Sequence, residues 1–424
     1  FPRPILCFHL CSADPARRTM PASLPGGRSA SLLALSLTAL LLCSLVTPTS
    51  GAAFAIDLGT EWFKVALVKP GVPMEVVLNR ESKRKTHTMV AFKDGDRLFG
   101  EDAASALTRV PETSYAHLLD LAGKPFDHPD VARHAASFPV RLERDPVRDT
   151  VLLRAGASDD SPTYSVEQLL GMILSLARRQ TESMAGGLVR DVVIVIPPHF
   201  SPAARQSILD AAAVADLNVL SLLNANVAVG LQLALIRKFN ATPEHHLLYD
   251  LGAGGTTASV ISFSAANATS KDSGKRLVTA VRITGVASDT HISGHALDLR
   301  MRDLLADAFS KQKGVKSNPR LSPRAMAKLL KEATRVRQVL SANTETVARI
   351  ESLLDNVDLY VKVSRDQFED AVKDLYGRVM GPADEAMRMA GVGRDEIASV
   401  ILFGGVSRTP GIQAIIREGV GRYE

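Results

Sequence analysis

One short pattern occurs twice in this sequence. Phe54 to Trp62 reads FAIDLGTEW and Tyr249 to Thr257 reads YDLGAGGTT, so an apolar run ends twice in Asp-Leu-Gly followed by small residues and threonine. The copies lie about 190 residues apart, and strand and helix patterns alternate after each. Such a restart predicts an α/β protein with two lobes of similar design and a cleft between them. We expect lobe I over residues 53–240 and lobe II over residues 241–424.

The chemistry of the repeated turn favours a bound anion. Backbone amides of a turn between two antiparallel strands can converge on a phosphate, and glycines let it approach without a Cβ in the way. Asp57 and Asp250 would then face each other across a shared metal–phosphate group. One such turn alone is an ordinary strand end, but the pair favours a ligand site. Neither turn has the P-loop or the dinucleotide-binding spacing of glycines.

A third glycine turn follows the apolar run SVILF near the end of the chain. It contains Gly404, Gly405 and Arg408 and precedes the helical pattern GIQAIIREG. This position suits a base or ribose site in the same cleft.

Local patterns predict the elements around these turns. Ala53–Leu58, Phe63–Lys69 and Met74–Asn79 are typical of an antiparallel meander whose second turn is Pro70 to Pro73. Ser165 with Gln168 three positions later predicts a capping box at the start of a helix. Ser201-Pro202 predicts a second helix start after the buried-strand pattern DVVIVI.

Residues 1–52 differ from the rest of the chain. Met20 is followed by a single arginine, Arg28, and then by an apolar run of about 16 residues from Ser31 to Val46. Ser50 and Ala52 after this run suit a cleavage site. The pattern favours a secretory signal peptide over a membrane anchor, which needs about 20 apolar residues. We interpret the residues before Met20 as translated upstream sequence.

The leader also accounts for most of the net positive charge and for every cysteine. The chain carries a net charge of +5, of which the leader holds +3, from Arg3, Arg17, Arg18, Arg28 and Asp14. The remainder is nearly neutral, which argues against a nucleic-acid partner. Cys7, Cys11 and Cys43 all lie in the leader, so the remainder can form no internal disulfide.

Two glycosylation sequons follow the leader, at Asn240 and Asn267. Both stand beside polar, turn-rich sequence, so we expect exposed loops there. Pro243 makes the first a poorer acceptor, and chance remains an alternative explanation for both.

The ordered set of motifs resembles the nucleotide-binding domain of the 70-kilodalton heat-shock chaperone family, which shares its fold with actin and sugar kinases. The resemblance covers about residues 53–424 and is closest to a large branch of that family in the endoplasmic reticulum. It is carried by FAIDLGTEW, KPGVPMEVVLNRESKRKT, VVIVIPPHFSPAARQ, VLSLLNANVAVG, YDLGAGGTT, ASDTHISGHALD, AMAKLLKEATRVRQVLSAN and ILFGGVSRTPGIQ. It implies a two-lobed, actin-like ATPase fold that binds ATP or ADP with magnesium.

The resemblance assigns residues to this site. Gly59 and Thr60 fall on the first phosphate loop, and Gly252, Ala253, Gly254 and Gly255 fall on the second. Asp57 and Asp250 fall on positions that hold magnesium through water. Adenosine contacts fall on Arg337, Ser341, Gly404, Gly405 and Arg408, whose guanidinium would stack on the purine. Without the resemblance, Arg337 would be read as part of a solvated helical face.

Three positions depart from the family pattern. A hydrolytic lysine, glutamate and aspartate of the family are replaced by Ala104 (or Ser105), Ala225 and Thr257. These groups position water and offset developing charge, so their loss predicts nucleotide binding with weak or absent ATPase activity.

The resemblance implies an ATP-binding chaperone of the endoplasmic reticulum lumen. Its partners would be a second heat-shock chaperone, for which it acts as nucleotide-exchange factor, and unfolded polypeptides bound by domains beyond Glu424. No membrane contact is expected after signal cleavage. Two other classes stay open: a small-molecule kinase of the actin-like fold, and a pseudo-ATPase scaffold that binds no nucleotide.

Overall fold

The computed structural model describes residues 51–156, 158–270 and 274–421. The predicted leader therefore lies outside the described residues except for its last two positions. Within those three ranges, no helix is both long enough and apolar enough to span a membrane.

Strands and helices alternate along the described chain. Strands β1 to β18 are Ala53–Leu58, Trp62–Lys69, Val72–Val76, Thr86–His87, Val90–Lys93, Asp96–Phe99, Ser114–Tyr115, Leu142–Arg144, Val151–Arg154, Thr163–Ser165, Asp191–Ile196, Asn218–Asn224, Glu244–Leu251, Thr256–Ser270, Gly274–Asp289, Glu345–Leu354, Val357–Ser364 and Ile397–Phe403. Helices α1 to α11 are Gly100–Ala106, Pro129–Ser137, Val166–Ala185, Pro202–Val214, Ala225–Ile236, Gly294–Ser310, Pro323–Leu340, Arg365–Ala371, Lys373–Tyr376, Met380–Ala390 and Pro410–Val420. Short 3₁₀ turns cover Pro111–Thr113, Leu118–Leu121, Pro319–Leu321, Arg394–Glu396 and Gly405–Arg408.

The first lobe is built on a six-stranded sheet in the order β12-β11-β1-β2-β3, with β4 beside β2. Alternate residues of β1, including Phe54 and Ile56, are buried in one apolar core that also takes Leu169 and Leu170 of α3 and Ile208 of α4. The period of two in β1 and the apolar stripes of the helices explain why these elements pack on one face.

The second lobe is built on a four-stranded sheet in the order β15-β14-β13-β18. Its core contains Leu247 and Tyr249 of β13 with residues of α6, α7 and α10, among them Met301, Val336 and Ala386. The two cores are separate clusters, which is the arrangement expected of two lobes.

The two sheets repeat one arrangement. β1 is antiparallel to β2 and parallel to β11, and β13 is antiparallel to β14 and parallel to β18. In both lobes the central strand ends in Asp-Leu-Gly, and the parallel neighbour leads into a helix. The predicted α/β class and two-lobed, actin-like fold are confirmed.

Helix α5 precedes residue 241 and contacts the sheet of lobe II. Leu233 is buried with Leu248 and Phe263, and a Cβ on Gly230 would lie 3.2 Å from side-chain atoms of Ile261 and Val281. The helix therefore packs closely on β14 and β15, and the boundary near residue 240 stays a prediction.

Both predicted helix starts are confirmed. Ser165 accepts from the Gln168 amide, and the Gln168 side chain accepts from the Ser165 amide. Ser201 accepts from the Ala204 amide, with Pro202 in the first turn.

Strand β3 begins earlier than predicted, at Val72. Pro70 and Gly71 form the turn between the paired residues Lys69 and Val72, and Gly71 has a φ of +76°, so Pro73 belongs to the strand. β3 is the edge of the sheet, and all five of its residues are exposed.

The expectation of a loop at the second sequon is wrong. Asn267 is exposed, but it lies in β14, opposite Leu277 of β15, because these two strands form a long antiparallel pair. Asn240 is exposed and follows α5, outside any strand or helix.

Candidate functional site

A cleft of about 1270 Å³ lies between the lobes. The Asp-Leu-Gly turns and the third glycine turn all contribute to its wall. Of the predicted site residues, it brings together Asp57, Gly59, Thr60, Ala225, Asp250, Gly252, Ala253, Gly254, Gly255, Thr257, Arg337, Gly404 and Gly405.

Thr88 fixes the backbone of the first turn through two hydrogen bonds. The Thr88 hydroxyl donates to the Gly59 carbonyl over 2.8 Å, and the Thr88 amide donates to the Glu61 carbonyl over 2.9 Å. A Cβ at Gly59 would come 2.5 Å from the Trp62 carbonyl oxygen, so the turn requires glycine. Thr60 is thereby presented to the cleft.

The second turn is tied to the start of helix α6. The Gly294 amide donates to the Gly252 carbonyl over 2.9 Å, and the His295 amide donates to the Ala253 carbonyl over 3.1 Å. Within the described residues, the amides of Ala253 and Gly254 donate to no backbone acceptor. They are therefore available to an anion in the cleft.

The two turns approach each other closely. A Cβ built on Gly254 would overlap the Thr60 hydroxyl and come within 2.9 Å of Asp120 Oδ1. Gly254 thus belongs to lobe II but lies against residues of lobe I. The absent side chain leaves room between the turns.

The two aspartates form an electrostatically coupled pair. The pKa of Asp250 is raised to about 7, chiefly by burial and then by the charge of Asp57, while the Lys64 ammonium acts in the opposite direction. A cation placed between the two carboxylates would relieve this repulsion. Among the described residues, no group of three or more His, Cys, Asp or Glu side chains forms a metal site by itself, so any Mg²⁺ here would depend on water and phosphate oxygens.

The third glycine turn contacts Asp250 directly. Gly404 has φ of +84°, and a Cβ there would overlap the Leu251 carbonyl oxygen and lie 2.6 Å from Asp250 Oδ1. Gly404 and Gly405 line the cleft, but Arg408, at the end of the turn, is exposed and lies outside the lining. The stacking of Arg408 on a purine stays a prediction.

Arg337 is buried, so it does not lie on the solvated helical face that its local sequence would indicate. It donates to Asp298 through Nε at 2.5 Å and Nη2 at 3.2 Å. Glu61 of lobe I lies near this pair. Burial and then the charge of Asp298 raise the pKa of Glu61, and the charge of Arg337 acts in the opposite direction. Arg337 is therefore ion-paired within lobe II and acts on Glu61 of lobe I through its charge.

Ser341 lies outside the cleft lining. Its hydroxyl donates to the Arg337 carbonyl at the end of α7, over 3.2 Å. Gln338, one turn earlier, lines the cleft and was missed by sequence reasoning, because the rotation of a helix decides which of two neighbouring polar residues faces a ligand.

The three departures from the family pattern take different positions. Ala225 and Thr257 line the cleft. Ala104 lies on α1 and packs beside a small apolar cluster of Met89, Ala91, Ala103 and Ala106. The Thr257 hydroxyl is hydrogen-bonded to the Ser288 hydroxyl at 2.9 Å.

A cluster of aromatic and histidine rings closes one part of the interface between the lobes. His117 lies 4.2 Å from His295 between ring centroids, and Phe138 stacks on His295 at 5.0 Å and contacts His134 at 4.8 Å. Burial lowers the pKa of His134 to about 4 and that of His295 well below its usual value. Sequence reasoning missed this cluster, because its members are up to about 180 residues apart and no local pattern links them.

Comparison with known proteins decides the family. The Hsp70 protein family model matches residues 53–424. The chain belongs to the Hsp70 family. Hypoxia up-regulated protein 1 from zebrafish (Danio rerio) is 42% identical over 378 residues, covering 88% of this chain and 38% of that protein. The proteins of the same name from Xenopus tropicalis and Homo sapiens are 41% and 40% identical, covering 91% and 92% of this chain and 60% and 39% of their own lengths.

The predicted resemblance to this branch of the family is confirmed. The matched region is the ATP-binding domain of Hsp70 proteins. The chain spans about 40% to 60% of the length of these relatives.

The cleft residues fit a magnesium nucleotide. Two glycine turns with available amides converge where Gly254 leaves space, and two coupled carboxylates lie beside them. These groups match phosphate oxygens and a hard cation respectively.

Proposed function

We propose that this chain is the nucleotide-binding part of a chaperone that binds ATP or ADP with Mg²⁺ and hydrolyses ATP slowly or not at all. The observation that carries the proposal is the approach of Gly254 to Thr60, which joins one glycine turn from each lobe in a single cleft.

The chain's own residues divide the work of binding. Amides of Gly59, Thr60 and Ala253–Gly255 would receive the phosphates, while the Gly252 amide closes the second turn by donating to the Gly255 carbonyl over 2.9 Å. Asp57 and Asp250 would hold magnesium through water. Magnesium would neutralise the phosphate charge. Because one turn belongs to lobe I and the other to lobe II, a nucleotide bound to both turns would stabilise the closed arrangement of the lobes.

Slow hydrolysis follows from the side chains beside the turns. Ala225 and Thr257 line the cleft without a carboxylate, and Ala104 lies outside the lining. Loss of one electrostatic or water-positioning group commonly costs roughly 10²–10³-fold in turnover. The domain would therefore bind nucleotide much faster than it consumes it.

Calorimetric titration with ADP and ATP tests the proposal. Gly254→Ala should weaken binding about tenfold or more, since the new Cβ overlaps Thr60 and separates the turns. Gly187→Ala is the matched control, because a Cβ there meets nothing within 4 Å. Absence of binding by the unmodified chain would favour the nucleotide-free scaffold instead.

A partner chaperone and the endoplasmic reticulum are the finer parts of the proposal. They are supported by the family branch and by the leader pattern. The full-length protein should accelerate release of fluorescent ADP from a second Hsp70 chaperone, and an unchanged release rate at saturation would remove the exchange-factor role. Unfolded polypeptides would be bound by other parts of the full-length protein.

Glycan analysis tests the location. The exposed Asn240 and Asn267 should carry glycan on protein from secretory cells, with Asn267 more fully occupied. Endoglycosidase treatment should increase gel mobility, and a double Asn→Gln variant should already migrate at the treated position. An N-terminus near Ala53 is expected on the same material.

A further inference from the structure

A lysine enters the cleft from strand β2, beside the first glycine turn. Lys64 lies directly opposite Asp57 in the antiparallel pairing of β1 and β2, and its Nζ lies 2.6 Å from Asp57 Oδ2. The two side chains are 52% and 51% exposed. Both line the cleft, so this ion pair is open to a ligand.

The other lysines and arginines of the cleft wall have partners other than the carboxylates of the two Asp-Leu-Gly turns. Within the described residues these contacts are Lys85 over the Trp62 ring, Lys124 and Arg133 with Asp130, Arg300 with Asp374, Arg302 with Asp303, Arg337 with Asp298 and Arg378 with Asp289. Lys64 is thus the cleft lysine whose carboxylate partner belongs to a predicted phosphate turn.

The repeat of the fold shows that this charge is specific to one lobe. Asp250 pairs with Thr257 in the register in which Asp57 pairs with Lys64, so Thr257 is the internal counterpart of the lysine. Thr257 is neutral and hydrogen-bonded to Ser288. Among the residues that the structure describes, Lys64 of lobe I is therefore the ammonium that acts on the carboxylate pair.

The Lys64–Asp57 pair is also easily exchanged. Half-exposed ion pairs contribute about 0–1 kcal/mol to stability, and a lysine ammonium on a flexible stem readily changes partner. A cation arriving at Asp57 would release the lysine, and a phosphate nearby would offer it a more highly charged acceptor.

We propose that Lys64 binds the terminal phosphate oxygens of the nucleotide and thereby supplies, from β2, the cation that Ala104 does not. The inference rests on the proposed function. Asp57 holds the ammonium in the cleft before nucleotide binds and accepts hydrated magnesium afterwards.

The test compares adenosine, ADP and ATP by calorimetry, each with Mg²⁺, for the unmodified chain and for Lys64→Met and Lys64→Arg. Lys64→Met should lower the affinity for ADP and ATP at least about tenfold, with the affinity for adenosine unchanged. Lys64→Arg should keep most of the affinity, because the charge is retained. Lys362→Met is the control, since Lys362 forms a comparable exposed pair with Glu345 at 2.7 Å outside the cleft lining.

Two results would overturn the inference alone. One is unchanged or tighter ATP binding by Lys64→Met, which would mean that the lysine merely screens Asp57. The other is an equal loss for adenosine and ATP, which would mean that it does not act on phosphate. No ATP binding by the unmodified chain would overturn the proposed function together with this inference. Thermal unfolding of Lys64→Met close to that of the unmodified chain would show that the variant folds.

Discussion

At the scale of single residues, Gly404 links the third glycine turn to the carboxylate pair. Its φ of +84° and its contact with Asp250 leave no room for a side chain. The position of Asp250 in the cleft therefore depends on a glycine that is about 150 residues away in the sequence.

We expect Gly404→Ala to destabilise the protein by about 1–3 kcal/mol, because the residue must leave its left-handed conformation. Nucleotide affinity should fall with it, since Asp250 is displaced. Chemical unfolding and calorimetry measure the two effects. Gly381→Ala, where a Cβ meets nothing within 4 Å, should change neither, and an equal effect of both variants would contradict the explanation.

His134 gives the stability a dependence on pH. Its ring is buried, Nε2 lies 3.0 Å from the Ala116 carbonyl oxygen, and its pKa falls from 6.5 to about 4. The unfolded chain therefore binds a proton between pH 6.5 and pH 4 that the folded protein does not. Stability from this residue is complete above pH 6.5 and declines as the pH falls toward 4, by up to about 3 kcal/mol.

His134→Gln should remove this part of the pH dependence, so the free energy of unfolding should fall less steeply between pH 6.5 and pH 4.5. Denaturant titrations at several pH values measure it. Identical slopes for His134→Gln and the unmodified chain would exclude this role.

At the scale of elements, α5 is apolar on nearly every side but is only partly covered. Leu233 is 8% exposed and packs with Leu248 and Phe263, whereas Leu235 is 82% exposed. One leucine thus joins the helix to lobe II while its near neighbour faces solvent.

Leu233→Ala should cost about 2–4 kcal/mol of unfolding free energy, because it leaves a cavity against β13 and β14. Leu235→Ala should change stability by less than about 0.5 kcal/mol. Both variants replace leucine by alanine in the same helix, so the change in helix propensity is the same and drops out of the comparison. Similar losses in both would show that α5 is held by something other than this contact.

The sequence predicted those elements whose signals are local. Ser165 and Gln168 meet through a contact three residues apart, and each Asp-Leu-Gly turn is written in consecutive residues, so both could be recognised. Gln338 lies in α7 and Ser341 at its end, and only Gln338 faces the cleft. Their exposure to the cleft depends on how α7 packs, which no local pattern encodes.

At the scale of the whole molecule, the cleft is crossed by more than the two turns. Glu61 of lobe I lies near Arg337 and Asp298 of lobe II, and His117 lies against His295. Such contacts between distant segments could not be read from the sequence, because nothing in a motif specifies them.

Saturating magnesium nucleotide should slow hydrogen exchange at residues 57–60 and 252–255 together, since one ligand would hold both turns. At a ligand concentration 100 times Kd, the free energy of unfolding should rise by about 2.7 kcal/mol. Asp250→Lys, which puts a cation at the expected magnesium position, should show neither effect. Protection of one turn without the other would contradict a shared ligand.

The exposed edge strand β3 has a consequence for the protein in a crowded solution. Its outer side offers Val72, Met74 and Val76, a combination that invites another chain to pair with it and begin a fibre. Pro73 interrupts the backbone hydrogen-bond donors of β3, because proline has no N–H to donate to an incoming strand. Pro73, which the sequence pattern placed in the turn, therefore protects the apolar edge strand from self-association.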